Sequence, residues 1–75
     1  MSFRWAWNWP ALARFYDIPY PTSERVDAAV LRFTRERAPL LPSGEYRFTA
    51  AGYAIRVRVD TRERSVLVLY VFRLS

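Results

Sequence analysis

The C-terminal half of the chain shows the alternation of apolar and polar residues that is typical of β-strands. Three such runs lie within residues 44–73, with short connections between them. In the first two, residues 45–50 and 53–59, aromatic and β-branched residues alternate with mostly polar ones, which predicts half-buried strands. The third run, residues 66–72, is apolar throughout, which predicts a central strand that is covered on both faces. Together they predict a three-stranded antiparallel meander.

Strict alternation also assigns the side chains of this meander to two faces. The third run then separates two apolar sets, which are Val66, Val68, Tyr70 and Phe72 on one face and Leu67, Leu69 and Val71 on the other. The second run carries an arginine row, Arg56 and Arg58. The neighbouring strands add Arg47 and Arg73. We expect these arginines to lie on the face of the sheet that the helices leave open.

A further strand pattern begins the chain. Residues 2–8 alternate around Phe3, Trp5 and Trp7, which predicts a strand whose tryptophans face the core. The alternative role for these rings is the stacking of nucleic-acid bases. We favour the core, because a small domain needs large apolar side chains in its interior.

Two helices are predicted between this strand and the meander. The first covers about residues 9–16, with Asn8 as its N-cap. The second has Thr22 or Ser23 as its N-cap and runs to about Arg37. Its apolar stripe, at positions i, i+3, i+4 and i+7, consists of Val26, Ala29, Val30 and Phe33.

The order of these elements is strand, helix, helix, strand, strand, strand. It predicts an α+β fold in which two helices pack on one face of a small twisted sheet. Gly52 marks the tight turn between the first two strands of the meander. The length predicts one domain, residues 1–75.

The composition excludes several kinds of chemistry. The chain has no cysteine and no histidine, which removes disulfides, thiolate and imidazole metal ligands, and Cys or His catalysis. We therefore expect no metal and no small-molecule cofactor. The longest apolar run is far too short to span a bilayer, and the N-terminus lacks the features of a signal peptide. These observations predict a soluble cytoplasmic protein without a membrane partner.

The charge of the chain suits an anionic partner. The net charge is +5, and all twelve basic residues are arginine. A GC-rich genome accounts for arginine in place of lysine, but the excess of positive charge needs its own explanation. The planar guanidinium fork binds phosphate in two-pronged fashion. Charge alone leaves DNA, RNA and an acidic protein open as partners.

Three stretches, in this order, resemble the RelE/ParE superfamily of toxins from bacterial type II toxin–antitoxin systems. TSERVDAAVLRF (22–33) is similar to the second helix of these toxins, GEYRFTAAGYAIRVRVD (44–60) to their strand pair, and SVLVLYVFR (65–73) to their closing strand. The resemblance covers nearly the whole chain. It implies the same fold, a role as toxin, and a cognate antitoxin protein as partner.

The resemblance also implies roles for the arginines. In the ribosome-dependent ribonucleases of this family, basic residues at the positions of Arg47 and Arg73 hold the scissile phosphate, so it implies that these two are catalytic. The nucleic-acid-binding set that we predict consists of Arg47, Arg56, Arg58 and Arg73. Guanidinium groups that are already in place stabilise the negative charge that builds on the phosphate in the transition state.

The sequence departs from the pattern of these ribonucleases at the acid and base. An arginine usually stands at the position of Ala54 and often a histidine at that of Phe72, and neither tyrosine nor histidine follows Arg73 here. The remaining acid–base candidates are Glu45, Tyr46, Tyr53 and Tyr70. A carboxylate among these needs a shifted pKa to act as a base, and the tyrosines are better explained as core or sheet-face residues.

Three functions are consistent with the sequence. The first is a RelE-like toxin that inhibits translation by cleaving mRNA on the ribosome. The second is a ParE-like toxin that inhibits DNA gyrase by binding alone, which needs no acid or base. The third is a small, non-toxic binding or inhibitory module, for example one encoded by a phage, because one fold hosts many functions.

Overall fold

The computed structural model of this protein describes residues 2–74. The secondary structure, in chain order, is β1 (Arg4–Trp7), α1 (Trp9–Tyr16), α2 (Thr22–Arg32), a π-helical turn (Phe33–Arg37), a 3₁₀ turn (Ala38–Leu40), β2 (Gly44–Ala50), β3 (Tyr53–Asp60) and β4 (Ser65–Arg73). The predicted α+β order of strand, two helices and three strands is confirmed. No helix within residues 2–74 combines the length and the apolar character needed to cross a membrane.

The four strands form one mixed sheet in the order β1-β4-β3-β2. β2, β3 and β4 are the predicted antiparallel meander. β1 pairs parallel to β4, because the two helices carry the chain back across the sheet before the meander begins. β4 is therefore central, as its continuous apolar sequence predicts. Gly52, with φ of 84°, follows Ala51, with φ of 51°, in the tight turn between β2 and β3.

The two helices begin differently. Asn8 caps α1 as predicted, since its side-chain oxygen accepts a hydrogen bond from the N–H of Ala11 at 3.1 Å. The prediction that Thr22 or Ser23 caps α2 is wrong, because both residues lie inside the helix. The backbone N–H groups at the start of α2 donate instead to the carbonyl oxygens of Pro19 and Pro21, which takes the place of a side-chain cap.

The end of the second helix is also less regular than predicted. The regular α-helix stops at Arg32, and the chain reaches Arg37 through a π-helical turn. The hydroxyl of Thr34 donates to the carbonyl oxygen of Val30 at 2.8 Å, which satisfies this buried side chain.

One hydrophobic core lies between the helices and the sheet. The predicted stripe of α2 is confirmed, since Val26, Val30 and Phe33 are buried in it. Phe33 stacks on Phe48 with ring centroids 4.7 Å apart. The predicted direction of β1 is confirmed for Trp7, which packs against this core. Trp5 lies on the same side of the sheet, paired with Val66, but it is 41% exposed because β1 is an edge strand.

A β-bulge in β4 changes which side chains face the core. Arg56 pairs with Tyr70 and the next residue of β3, Val57, pairs with Val68, so Leu69 is an extra residue in β4. The strict alternation predicted for β4 is therefore wrong. The core side has Val66, Val68 and Val71, and the opposite side has Leu67, Tyr70 and Phe72.

Candidate functional site

The face of the sheet that the helices leave uncovered carries most of the polar and aromatic candidates. We call it the open face, defined by Glu45, Arg47, Arg56, Arg58, Tyr70 and Phe72. Arg47 of β2 lies opposite Arg56 of β3, which lies opposite Tyr70 of β4. Since side chains that are directly opposite in antiparallel strands are neighbours, these three form one row across the sheet. The predicted arginine face is confirmed for Arg47, Arg56 and Arg58.

A groove of about 530 Å³ opens on this face. Its lining residues are Glu45, Tyr46, Arg47, Arg56 and Phe72. Ala54, which stands where the resemblance leads one to expect an arginine, lies between Thr49 and Phe72 and is fully buried. The positive charge of the groove therefore comes from Arg47 and Arg56.

Glu45 organises the charges around the groove. One of its carboxylate oxygens lies 2.6 Å from Nη2 of Arg56, and the other accepts a hydrogen bond from Nη2 of Arg58 at 3.2 Å. The hydrogen bonds from Arg58 and then Arg56 hold the pKa of Glu45 below its ordinary value of 4.5. Glu45 is therefore ionised at neutral pH, and the shift is opposite in direction to the one that a general base needs.

The lowered pKa of Glu45 makes part of the stability dependent on pH. The ionised Glu45 contributes fully to the free energy of unfolding when the pH is above the ordinary pKa of 4.5. This contribution is lost as the pH falls through the lower pKa that Glu45 has in the folded state. We expect the difference in urea midpoint between the wild type and Glu45→Gln to narrow as the pH falls through this range. Glu63→Gln, in the exposed loop after β3, is the matched control, and a Glu45→Gln difference that stays constant with pH would contradict the assignment.

The tyrosines of the site differ in what their hydroxyl groups face. The hydroxyl of Tyr46 donates to the carbonyl oxygen of Pro42 at 2.6 Å, so its proton is already engaged. Tyr53 is half-buried against the core. Tyr70 lies on the open face beside Arg56 and is 45% exposed. Of the predicted acid–base candidates, Tyr70 thus presents a hydroxyl on the same face as the groove arginines.

Arg73 lies on the other side of the sheet. It pairs with Tyr53, whose side chain faces the core side, and with Arg14 and Asp17 it lines a separate cavity of about 200 Å³. The prediction that Arg73 shares a face with Arg47 is wrong, because the parity of β4 places it with Val71. Its catalytic role stays a prediction. Within residues 2–74, no three acidic side chains lie close enough together to hold a metal ion.

No protein-family model and no curated protein matches this sequence. Solved structures do match the fold. The isolated RelE toxin of E. coli has a TM-score of 0.75 at 17% sequence identity, with 100% of this chain and 86% of that chain covered. The intact E. coli RelBE toxin–antitoxin complex gives the same TM-score and identity, with coverages of 100% and 99%.

An archaeal structure extends this likeness. The RelE–RelB complex from Pyrococcus horikoshii OT3 has a TM-score of 0.72 at 12% identity and covers 97% of this chain and 96% of that chain. The chain therefore has the RelE-type fold that its sequence resemblance predicts. Two helices packed against a four-stranded mixed sheet match this fold.

Proposed function

We propose that this protein is the toxin of a bacterial type II toxin–antitoxin system and inhibits translation by cleaving mRNA on the ribosome. The observation that carries this proposal is the pair Arg47 and Arg56 beside an open groove of a RelE-type fold. Two like charges directly opposite each other destabilise a sheet. Glu45 offsets the charge of Arg56 in part, while no ion pair within residues 2–74 reaches Arg47. A phosphate of RNA bound at Arg47 supplies the missing counter-charge and fits its guanidinium fork.

The chemistry that the site supports is stabilisation of charge on phosphate. In cleavage, a ribose 2′-hydroxyl gives up its proton and its oxygen attacks the adjacent phosphate, which forms a 2′,3′-cyclic phosphate. The bond from phosphorus to the 5′-oxygen of the next nucleotide breaks, and that oxygen leaves with a proton. The non-bridging oxygens of the phosphate gain negative charge in the transition state. In this proposal Arg47 stabilises that charge directly, and Arg56, whose Nη2 is paired with Glu45, contributes through its remaining N–H groups. Binding on the ribosome supplies the alignment of the 2′-hydroxyl with the phosphate, which contributes through proximity and orientation. Tyr70 is the open-face hydroxyl that can exchange a proton in this step.

The proposed protein partner is a cognate antitoxin. Two of the structures that share this fold are complexes of a RelE protein with RelB. A net charge of +5 and an uncovered arginine face favour an acidic segment that is disordered alone and folds when it binds. Such a segment would cover the groove and compete with RNA.

A cell-free translation reaction tests the proposed activity. We expect purified protein to produce new RNA ends within a defined mRNA only when ribosomes are present, and addition of antitoxin to suppress them. Mapping the ends by primer extension shows where cleavage occurs. Intact mRNA with undiminished translation would overturn the ribonuclease proposal.

Inhibition of DNA gyrase is the second candidate function. The observation that favours it is the state of the acid–base candidates, because the pKa of Glu45 is lowered and the hydroxyl of Tyr46 is engaged by Pro42. A ParE-like toxin acts by binding and needs neither group. Loss of gyrase supercoiling with intact mRNA would support this candidate. Growth unaffected by expression of the protein alone would instead favour a non-toxic binding module.

A further inference from the structure

Two aromatic side chains of the open face lie uncovered beside the groove. Tyr70 is 45% exposed and Phe72 is 50% exposed. Their rings are nearly parallel, with an interplanar angle of 19° and centroids 5.7 Å apart. Large apolar groups left next to each other on a surface mark a place of contact with another molecule.

The bulge at Leu69 is what places these rings on the open face. Without the extra residue, Tyr70 and Phe72 would continue the parity of Val66 and Val68 and point into the core. Bulges turn side chains towards a new direction and are frequent beside functional sites. The irregularity of β4 thus has a specific consequence, which is an aromatic surface next to the arginines.

The charge around these rings indicates what they contact. Tyr70 lies directly opposite Arg56, and Phe72 lines the groove together with Arg47 and Arg56. A folded apolar partner would bury Arg47, for which no ion pair is found within residues 2–74, without a counter-charge. A nucleotide chain has a flat base for each ring and an anionic phosphate for each guanidinium, so it complements both.

We propose, on the basis of the proposed function, that Tyr70 and Phe72 form a stacking platform for the unpaired bases of single-stranded RNA. Arg47 and Arg56 hold the phosphates that follow along the strand. The platform selects single strands, because the bases of a duplex are already stacked on one another and cannot reach the rings. Through this contact Tyr70 and Phe72 align the strand and set which bases are accepted.

Fluorescence anisotropy with three labelled oligonucleotides at low salt tests this proposal. The first is a short unstructured 2′-O-methyl RNA, which cannot be cleaved by its own 2′-oxygen. The second has the same length and charge but abasic sites in place of its bases, and the third is the duplex of the first. The protein variants are Tyr70→Leu and Phe72→Leu, which remove the ring but keep an apolar side chain. Tyr70→Phe keeps the ring, and Tyr16→Leu alters an exposed tyrosine of α1 that lies outside the open face.

The wild type is expected to bind the single strand more tightly than either the abasic strand or the duplex. Tyr70→Leu and Phe72→Leu should each weaken binding of the single strand about tenfold and leave binding of the abasic strand unchanged. Tyr70→Phe and Tyr16→Leu should bind as the wild type does. Thermal melting of each variant shows that it is folded, and the abasic strand serves as an internal control, since a loss of structure would lower both affinities together.

Other results would overturn the platform. Equal losses of affinity for the base-containing strand and the abasic strand would assign the rings a structural role. Equal affinity of the wild type for the duplex and the single strand would contradict the proposed selectivity. Absence of binding by the wild type would remove the site. Cleavage on ribosomes that is unaffected by Phe72→Leu, with unchanged single-strand affinity, would leave the proposed function standing and reject the platform. Base-dependent binding without cleavage would support the platform and reject the ribonuclease.

Discussion

Replacement of Arg47 with alanine is expected to lower the rate of ribosome-dependent mRNA cleavage about a hundredfold to a thousandfold. Arg47 lies opposite Arg56 and lines the groove, so its guanidinium stabilises charge on the phosphate. Its side chain is exposed, and the ion pairs found within residues 2–74 are those of Glu45 with Arg56 and Arg58. The free energy of unfolding should therefore change by less than about 0.5 kcal/mol. Single-turnover cleavage and urea unfolding measure the two effects.

Three further variants sharpen this test. Arg47→Lys keeps the charge but loses the bidentate fork, so it should recover only part of the rate. Arg25→Ala removes an exposed arginine of α2 and is the control for loss of positive charge alone. Arg73→Ala tests the catalytic role that the resemblance implies, and we expect a smaller loss than for Arg47→Ala, because Arg73 lies on the other side of the sheet. Equal losses of cleavage rate for Arg25→Ala and Arg47→Ala would show that the rate depends only on the net charge.

Ile55→Ala is expected to cause the largest loss of stability, about 2–5 kcal/mol. Ile55 is fully buried in β3, between Phe48 of β2 and Val71 of β4. Its truncation removes apolar contacts from both neighbouring strands and leaves a cavity that a sheet cannot close. The free energy of unfolding of ordinary domains is only about 5–15 kcal/mol. A small chain such as this one therefore loses a large share of its stability.

Urea unfolding followed by tryptophan fluorescence measures this loss. Ile55→Val is the matched control, because it removes a single methylene-sized group and should cost only about 0.5–1.5 kcal/mol. The isolated Ile55→Ala protein should also lose activity at elevated temperature in parallel with its unfolding. A midpoint for Ile55→Ala that equals that of Ile55→Val would contradict the central position of this side chain in the core.

Much of the candidate site follows from local sequence. The alternation in residues 45–50 and 53–59 is sufficient to place Arg47, Arg56 and Arg58 on one face, because side chains of regular strands alternate with a period of two. The sequence identifies Glu45 as a carboxylate of the site but does not indicate the sign of its pKa shift. That sign depends on Arg56 and Arg58 reaching it from the adjacent strand.

The side of the sheet on which Tyr70 and Phe72 lie does not follow from the sequence. Both parities of β4 are apolar, so hydrophobicity does not indicate where the alternation breaks, and strict alternation groups Tyr70 and Phe72 with Val66 and Val68. The bulge at Leu69 becomes visible only in the pairing of β4 with β3. If the register of β3 and β4 were known, the pairing of Arg56 with an aromatic residue would indicate that this residue lies on the open face.

The sequence by itself determined the order of the elements, the faces of the helices and the first two strands of the meander, and the resemblance to RelE-type toxins. These depend on short periodicities and turn residues, which act within a few positions of the chain. The tertiary structure alone decided the parallel pairing of β1 with β4, the exposure of Trp5, the bulge in β4 and the side of the sheet on which Arg73 lies. Each of these depends on which distant segment becomes the neighbour, since pairing register and coverage are properties of two or more packed elements and of no single stretch.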